Sequence, residues 1–139
     1  MAGHRNSQIH QRTMGWTGHY LSWTRQDAIP VLVVRYEDML ADTAAQLIRI
    51  LRFVGLPEAD DAGRVAAAVA RSRFDRLQRL EAESGFGERS YPSQRFFRSG
   101  RMGEGVALLS PELKAEIVRY HGPVMEELGY TMEGVAPYA

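Results

Sequence analysis

Apolar residues recur along this chain mainly at three- and four-residue intervals, which predicts helices, with one short exception. Trp16, His19, Tyr20 and Trp23 fall at helical spacing and predict a short amphipathic helix. Its aromatics are expected in a core; a lid is the functional alternative. Val31, Leu32, Val33 and Val34 are the exception: consecutive, apolar and mostly β-branched. That pattern predicts a strand buried on both faces, as in a parallel sheet covered by helices. Asp42 reads as the N-cap of a helix whose apolar stripe is Ala44, Leu47, Ile48, Leu51 and Val54. Gly55 and Pro57 should stop it. A further helix is predicted from Asp60 or Asp61, carrying Val65, Ala68 and Val69 through Ser72, with Phe74 and Leu77 continuing the spacing. Between residues 84 and 105 lie five glycines (85, 87, 100, 103 and 105), predicting a long irregular loop. Ser110-Pro111-Glu112 is a helix start, and Leu113, Ile117, Tyr120, Val124 and Leu128 mark that helix's buried side. Gly122-Pro123 should kink or restart it. Residues 1 to about 13 carry no periodic pattern, and no repeat is present.

Composition narrows the class. A chain of 139 residues supports one modest core. Net charge is zero, so no overall field draws nucleic acid or an anionic membrane, and neither is expected as a partner. The longest near-continuous apolar run, about Ala28 to Val34, is too short to span a bilayer, and the first residues carry no apolar signal region. There is no cysteine, so disulfides and thiolate metal sites are excluded. A soluble, cytoplasmic protein is expected. The positive charge is almost all arginine, Lys114 being the only lysine. From Arg64 to Arg101, nine arginines stand against Asp75, Glu81, Glu83 and Glu88, a local excess of five charges that suits an anionic ligand.

The densest chemistry lies in Arg95-Phe96-Phe97-Arg98-Ser99-Gly100-Arg101-Met102-Gly103-Glu104-Gly105. Arginine presents a planar fork of donors suited to phosphate. Phenylalanine offers a flat face to a base, and glycine lets backbone N–H groups approach oxygen closely. A phosphorylated nucleotide has all three requirements. A solvated basic loop with its phenylalanines tucked into a core has the same composition. The adjacent Glu37 and Asp38 read as caps or arginine partners ahead of a metal or acid/base pair. His4, His10, His19 and His121 show no metal-ligand spacing, and no Gly-x-Ser-x-Gly elbow occurs, so no metal site is expected.

The order Pro-Val-Leu-Val-Val-Arg-Tyr-Glu-Asp-Met (30–39), Ser-Arg-Phe-Asp-Arg-Leu (72–77), then Phe-Phe-Arg-Ser-Gly (96–100) resembles the carboxyl-terminal half of the sulfotransferase family. Those enzymes use 3′-phosphoadenosine 5′-phosphosulfate (PAPS) and release 3′-phosphoadenosine 5′-phosphate (PAP). The likeness runs from about Trp16 to Tyr130, and Arg-x-Gly-x-x-Gly after an aromatic pair is its most specific part. It implies an α/β fold: part of a three-layer, P-loop-NTPase-like sulfotransferase domain, mostly helical with few parallel strands. It implies that Arg98, Ser99 and Gly100 grip the 3′-phosphate. It also implies that Phe96, Ser72 and Phe74 meet the adenine, and that Tyr36 contacts the nucleotide at the end of the strand. Phe74 and Phe96 are then expected to face each other across a slot for a flat ring. The family commonly has lysine where Ser99 stands and Asp-Trp where Glu104-Gly105 stand.

The same resemblance identifies what is missing. The family's phosphosulfate loop and its histidine base belong to an amino-terminal half, and no Gly-Thr-Thr or Lys-Ser-Gly loop precedes Val31. No catalytic residue is assigned. The chain divides into a loose segment over 1–15, a domain over 16–132 and a tail over 133–139. It is expected to be the nucleotide-binding portion of an enzyme transferring a sulfuryl group to a small-molecule hydroxyl or amine, inactive alone. Its partner would be a complementing amino-terminal half or a second copy. A non-catalytic nucleotide- or phosphate-binding module, and a helical interaction domain for an acidic partner, are the rival readings. The acceptor is not legible.

Overall fold

The computed structural model describes residues 14–87 and 95–131. The expected loose segment falls almost wholly outside them, and the tail entirely. Seven helices lie among the described residues: α1 (Trp16–Thr24), α2 (Tyr36–Ala41), α3 (Thr43–Phe53), α4 (Ala62–Arg71), α5 (Phe74–Ser84), α6 (Glu104–Leu108) and α7 (Pro111–Glu127). A 3₁₀ turn, Pro57–Asp60, joins α3 to α4.

The capping signals operate as their chemistry dictates. Asp42 accepts from the Ala45 N–H at 2.9 Å and Asp61 from the Arg64 N–H at 2.9 Å, each satisfying a donor that the helix leaves open. Ser110 accepts from the Leu113 N–H, and Pro111 occupies the first turn of α7. Gly55 ends α3 at φ +73, a conformation that glycine alone adopts without strain.

Burial is thin. Ala59 and Val65 form one small centre where α3, the 3₁₀ turn and α4 meet, and Val124 and Leu128 form another at the end of α7. Alongside α7 lies α1, joined by Thr17–His121 (2.8 Å) and by Tyr20 and Arg25, both donating to Glu127. The Trp16 ring meets His121 and Tyr130 edge-on.

Four expectations are corrected. No β-strand occurs among the described residues, so the few parallel strands are not found there. Val31–Val34 are neither helical nor paired. A strand needs neighbours for its N–H and C=O groups, and none is offered among the described residues. Ile29 and Val31 accordingly stay 51% and 39% exposed. For the same reason the α1 aromatics are not core: Trp16 and Trp23 remain exposed, with no sheet to cover them. The third correction is a break at Ser72–Arg73. The Ser72 N–H closes α4 on the Ala68 carbonyl, and Arg73 then takes an extended conformation (ψ 138) that starts α5 afresh. Finally, α7 runs unbroken through Gly122-Pro123. Proline removes one N–H, but the next turn closes with Leu128 N–H on the Val124 carbonyl (3.0 Å), both side chains being buried. Toward its start α7 is less covered than its stripe predicts, since Leu113 and Tyr120 are exposed. Helix α6 was not legible; Gly103 at φ +78 turns the chain into it.

Candidate phosphate-binding site

The arginine–glycine loop hangs from one face of α5. Phe74, Gln78 and Glu81, at i, i+4 and i+7, share that face. Glu81 is 6% exposed, and its two carboxylate oxygens accept from two consecutive backbone N–H groups, Phe96 (2.7 Å) and Phe97 (3.0 Å). The Gln78 side-chain amide donates to the Phe97 carbonyl at 2.9 Å and the Arg98 carbonyl at 3.3 Å. The Arg98 N–H is used within the loop, on the Phe96 carbonyl (3.0 Å). Among the described residues, the next two N–H groups, of Ser99 and Gly100, have no acceptor.

Gly100 is required by its surroundings. It stands at φ +60, and a Cβ there would lie 2.7 Å from the Phe74 ring. Only glycine admits so close an approach of backbone to aromatic. Phe74 is thus the floor under the end of the loop.

The aromatic cluster is arranged differently from the expected slot. Phe74 meets Phe97 edge-on at 6.1 Å, while Phe96 packs on Phe86 at 4.5 Å. Phe97 also touches Phe96 (5.1 Å) and Phe86 (5.2 Å), so it occupies the space between. The cause is the grip of Glu81, which fixes both N–H groups and sends the two adjacent side chains different ways. Phe97 is the packing residue, and Phe96 is left 51% exposed.

The Arg98 side chain is 72% exposed and donates to Glu104 at 2.6 Å, the first residue of α6. Arg101 is exposed and has no partner among the described residues. Ser72 is exposed at the end of α4, its hydroxyl donating to the Val69 carbonyl (3.2 Å).

A second polar centre lies at the start of α2. Arg35 is 4% exposed, and its guanidinium grips Asp38 with two donors, at 2.7 and 2.5 Å. A third donor reaches the Leu128 carbonyl at 2.7 Å, tying α2 to the end of α7. The guanidinium sits 5.9 Å from the Tyr130 ring centre, and the Tyr130 hydroxyl donates to Glu37 at 2.8 Å. Burial first, then the bond to Glu37, pushes Tyr130 up to about 12. The hydrogen bond from Arg35 holds Asp38 below its ordinary value. Glu37 and Asp38 are therefore partners of a tyrosine and an arginine. No group of three or more potential metal ligands occurs among the described residues.

The model of the sulfotransferase domain family matches residues 7–129. The chain belongs to the sulfotransferase domain family. Among curated proteins it is similar to three from Arabidopsis thaliana. It is 30% identical to cytosolic sulfotransferase 17 over 105 residues, covering 68% of this chain and 30% of that protein. It is 32% identical to cytosolic sulfotransferase 16 over 95 residues (63% and 28%), and 29% identical to cytosolic sulfotransferase 1 over 106 residues (71% and 32%). The alignments therefore cover about a third of the length of these relatives. No solved structure matches.

In this sulfotransferase-family chain, Phe74, Phe96, Arg98, Ser99 and Gly100 form one continuous cluster with Gln78 and Glu81. Tyr36, exposed at the start of α2, and Ser72 make no hydrogen bond or ring contact with that cluster among the described residues. Sequence reasoning missed Gln78, Glu81 and Arg35. A signal for the first two was present: both stand at the spacing of Phe74 on a helix, where an apolar stripe would otherwise run.

Proposed function

We propose that this sulfotransferase-family chain supplies the nucleotide side of a PAPS-dependent sulfuryl transfer to a small-molecule hydroxyl or amine. Arg98, Ser99 and Gly100 hold the 3′-phosphate, and Phe96 offers its exposed face to the adenine. The supporting observation is the division of labour in the loop. Residues 96–98 spend their backbone groups on α5 and on each other, whereas the Ser99 and Gly100 N–H groups have no acceptor among the described residues and the Arg98 guanidinium is largely exposed. Two backbone donors beside an arginine fork match a phosphate. A ring stacked on a base contributes about 1–3 kcal/mol. PAPS supplies the activated sulfuryl group; these residues bind and orient its nucleotide end. Tyr36 and Ser72 would join only if the nucleotide reached them.

The described residues give no base and no phosphosulfate loop, which keeps a non-catalytic nucleotide-binding module as the second reading. Calorimetric titration with PAP separates both from an interaction domain, which would give no heat of binding. Turnover of an acceptor panel, with the remaining part of the domain supplied, separates the enzyme from the module. The cytosolic names of the relatives support a cytoplasmic location. Among the described residues no helix is long and apolar enough to cross a membrane.

Glu104 occupies the Arg98 fork that a phosphate needs, so it must be displaced on binding. The pair is largely exposed and therefore weak. Glu104→Gln is expected to tighten PAP binding about twofold to fivefold in the same titration. Weaker binding by this variant would mean that Glu104 orders the loop instead of competing for it.

A further inference from the structure

We infer that Glu81 is a positioning residue that decides which backbone amides of the loop remain for an anion, an inference that rests on the phosphate reading above. A carboxylate beside an anion site is unfavourable by charge alone. Glu81 nevertheless stands under this one, almost fully buried, with one oxygen on the Phe96 N–H (2.7 Å) and the other on the Phe97 N–H (3.0 Å). Each oxygen thus consumes one donor that would otherwise be open to an anion. The Arg98 N–H is consumed in turn by the Phe96 carbonyl (3.0 Å), and Gln78 fixes the Phe97 and Arg98 carbonyls. The first uncommitted N–H groups are those of Ser99 and Gly100. Their direction is set by the turn behind them and by Gly100 resting on Phe74. Glu81 therefore sets the register of the site from outside it, touching no ligand atom.

The consequence has a sign that separates it from a charge effect. If Glu81 were only a nearby negative charge, removing it would strengthen anion binding. If it positions the donors, removing it weakens binding of the 3′-phosphate despite the lost repulsion. Glu81→Gln is the informative variant, since it keeps the size but replaces one accepting oxygen with a donor amide.

The test is calorimetry on the 139-residue chain with two probes, PAP and adenosine 5′-monophosphate, which lacks the 3′-phosphate. The wild type is expected to prefer PAP by about tenfold or more, the fold-change of one charge-assisted contact. Glu81→Gln is expected to bind the monophosphate as the wild type does and to lose the preference to within about twofold. A merely structural role would weaken both probes in step, and that result would overturn the inference. So would a retained preference, or tighter PAP binding. A wild type without any preference would remove the phosphate reading itself. Should the variant not fold, amide exchange on the wild type decides: Phe96 and Phe97 N–H protected, Ser99 and Gly100 N–H fast. Fast exchange at Phe96 and Phe97 would show that Glu81 does not hold them.

Discussion

Arg35→Ala is expected to remove a large part of the protein's stability. Its guanidinium is buried and, among the described residues, satisfies three acceptors: both Asp38 oxygens and the Leu128 carbonyl. Alanine would leave a carboxylate and a carbonyl without partners, and would unlink α2 from α7. Breaking a buried charged pair costs roughly 3–5 kcal/mol; about 3 kcal/mol applies here, because Asp38 keeps some contact with water. Among the described residues the buried apolar ones are only Ala59, Val65, Val124 and Leu128, so little else there compensates. Small domains hold only about 5–15 kcal/mol in total. Urea unfolding followed by circular dichroism measures the loss, and a shift under about 1 kcal/mol would contradict the assignment. The same pair sets an acid limit. Arg35 lowers Asp38 in the folded state, so its contribution is complete above the ordinary carboxylate value and is lost as pH falls through the lowered one. Arg35→Ala should flatten the acid limb of the stability–pH curve.

The purified chain is expected to transfer no sulfuryl group from PAPS, even while it binds PAP. Catalysis at a sulfuryl centre, like that at a phosphoryl centre, depends on charges placed around the moving group. On the proposed reading the loop meets the nucleotide end only. Among the described residues no histidine adjoins it: His121 is engaged with Thr17 and Trp16 beside α1, and His19 stacks edge-on to Trp23. Val31–Val34 and the exposed Trp23 and Ile29 offer apolar surface and unused backbone groups to a complementing segment or a second copy. Supplying the rest of the domain, as one chain or two, is expected to restore turnover. Sulfation by the purified chain alone, measured with labelled PAPS over an acceptor panel, would contradict this account and require a base elsewhere.

What was legible in the sequence was local. Asp42, Asp61 and Ser110 announce helices because a cap acts within three residues of itself. Arg98-Ser99-Gly100 reads as a candidate anion site because all its donors lie within one turn of chain. The expected strand failed because a strand is defined by partners elsewhere, and the unbroken apolar run Val31–Val34 says nothing of whether they are present. Phe96 and Phe97 could not be told apart, since neighbouring aromatics differ only in which way a pinned backbone sends them. Glu81 was hidden for the same reason: its role is exercised across 15 residues of sequence, on a loop that it does not belong to.

On the proposed reading, Arg98 marks a specific phosphate site within a generally basic surface. Calorimetric titration of PAP into the wild type, Arg98→Ala and Arg101→Ala tests it most directly. Arg98→Ala is expected to lose about 1.5–3 kcal/mol of binding, the range for a charge-assisted hydrogen bond, with Arg101→Ala losing distinctly less. Equal losses at the two positions would contradict the account and leave a diffuse basic patch in its place.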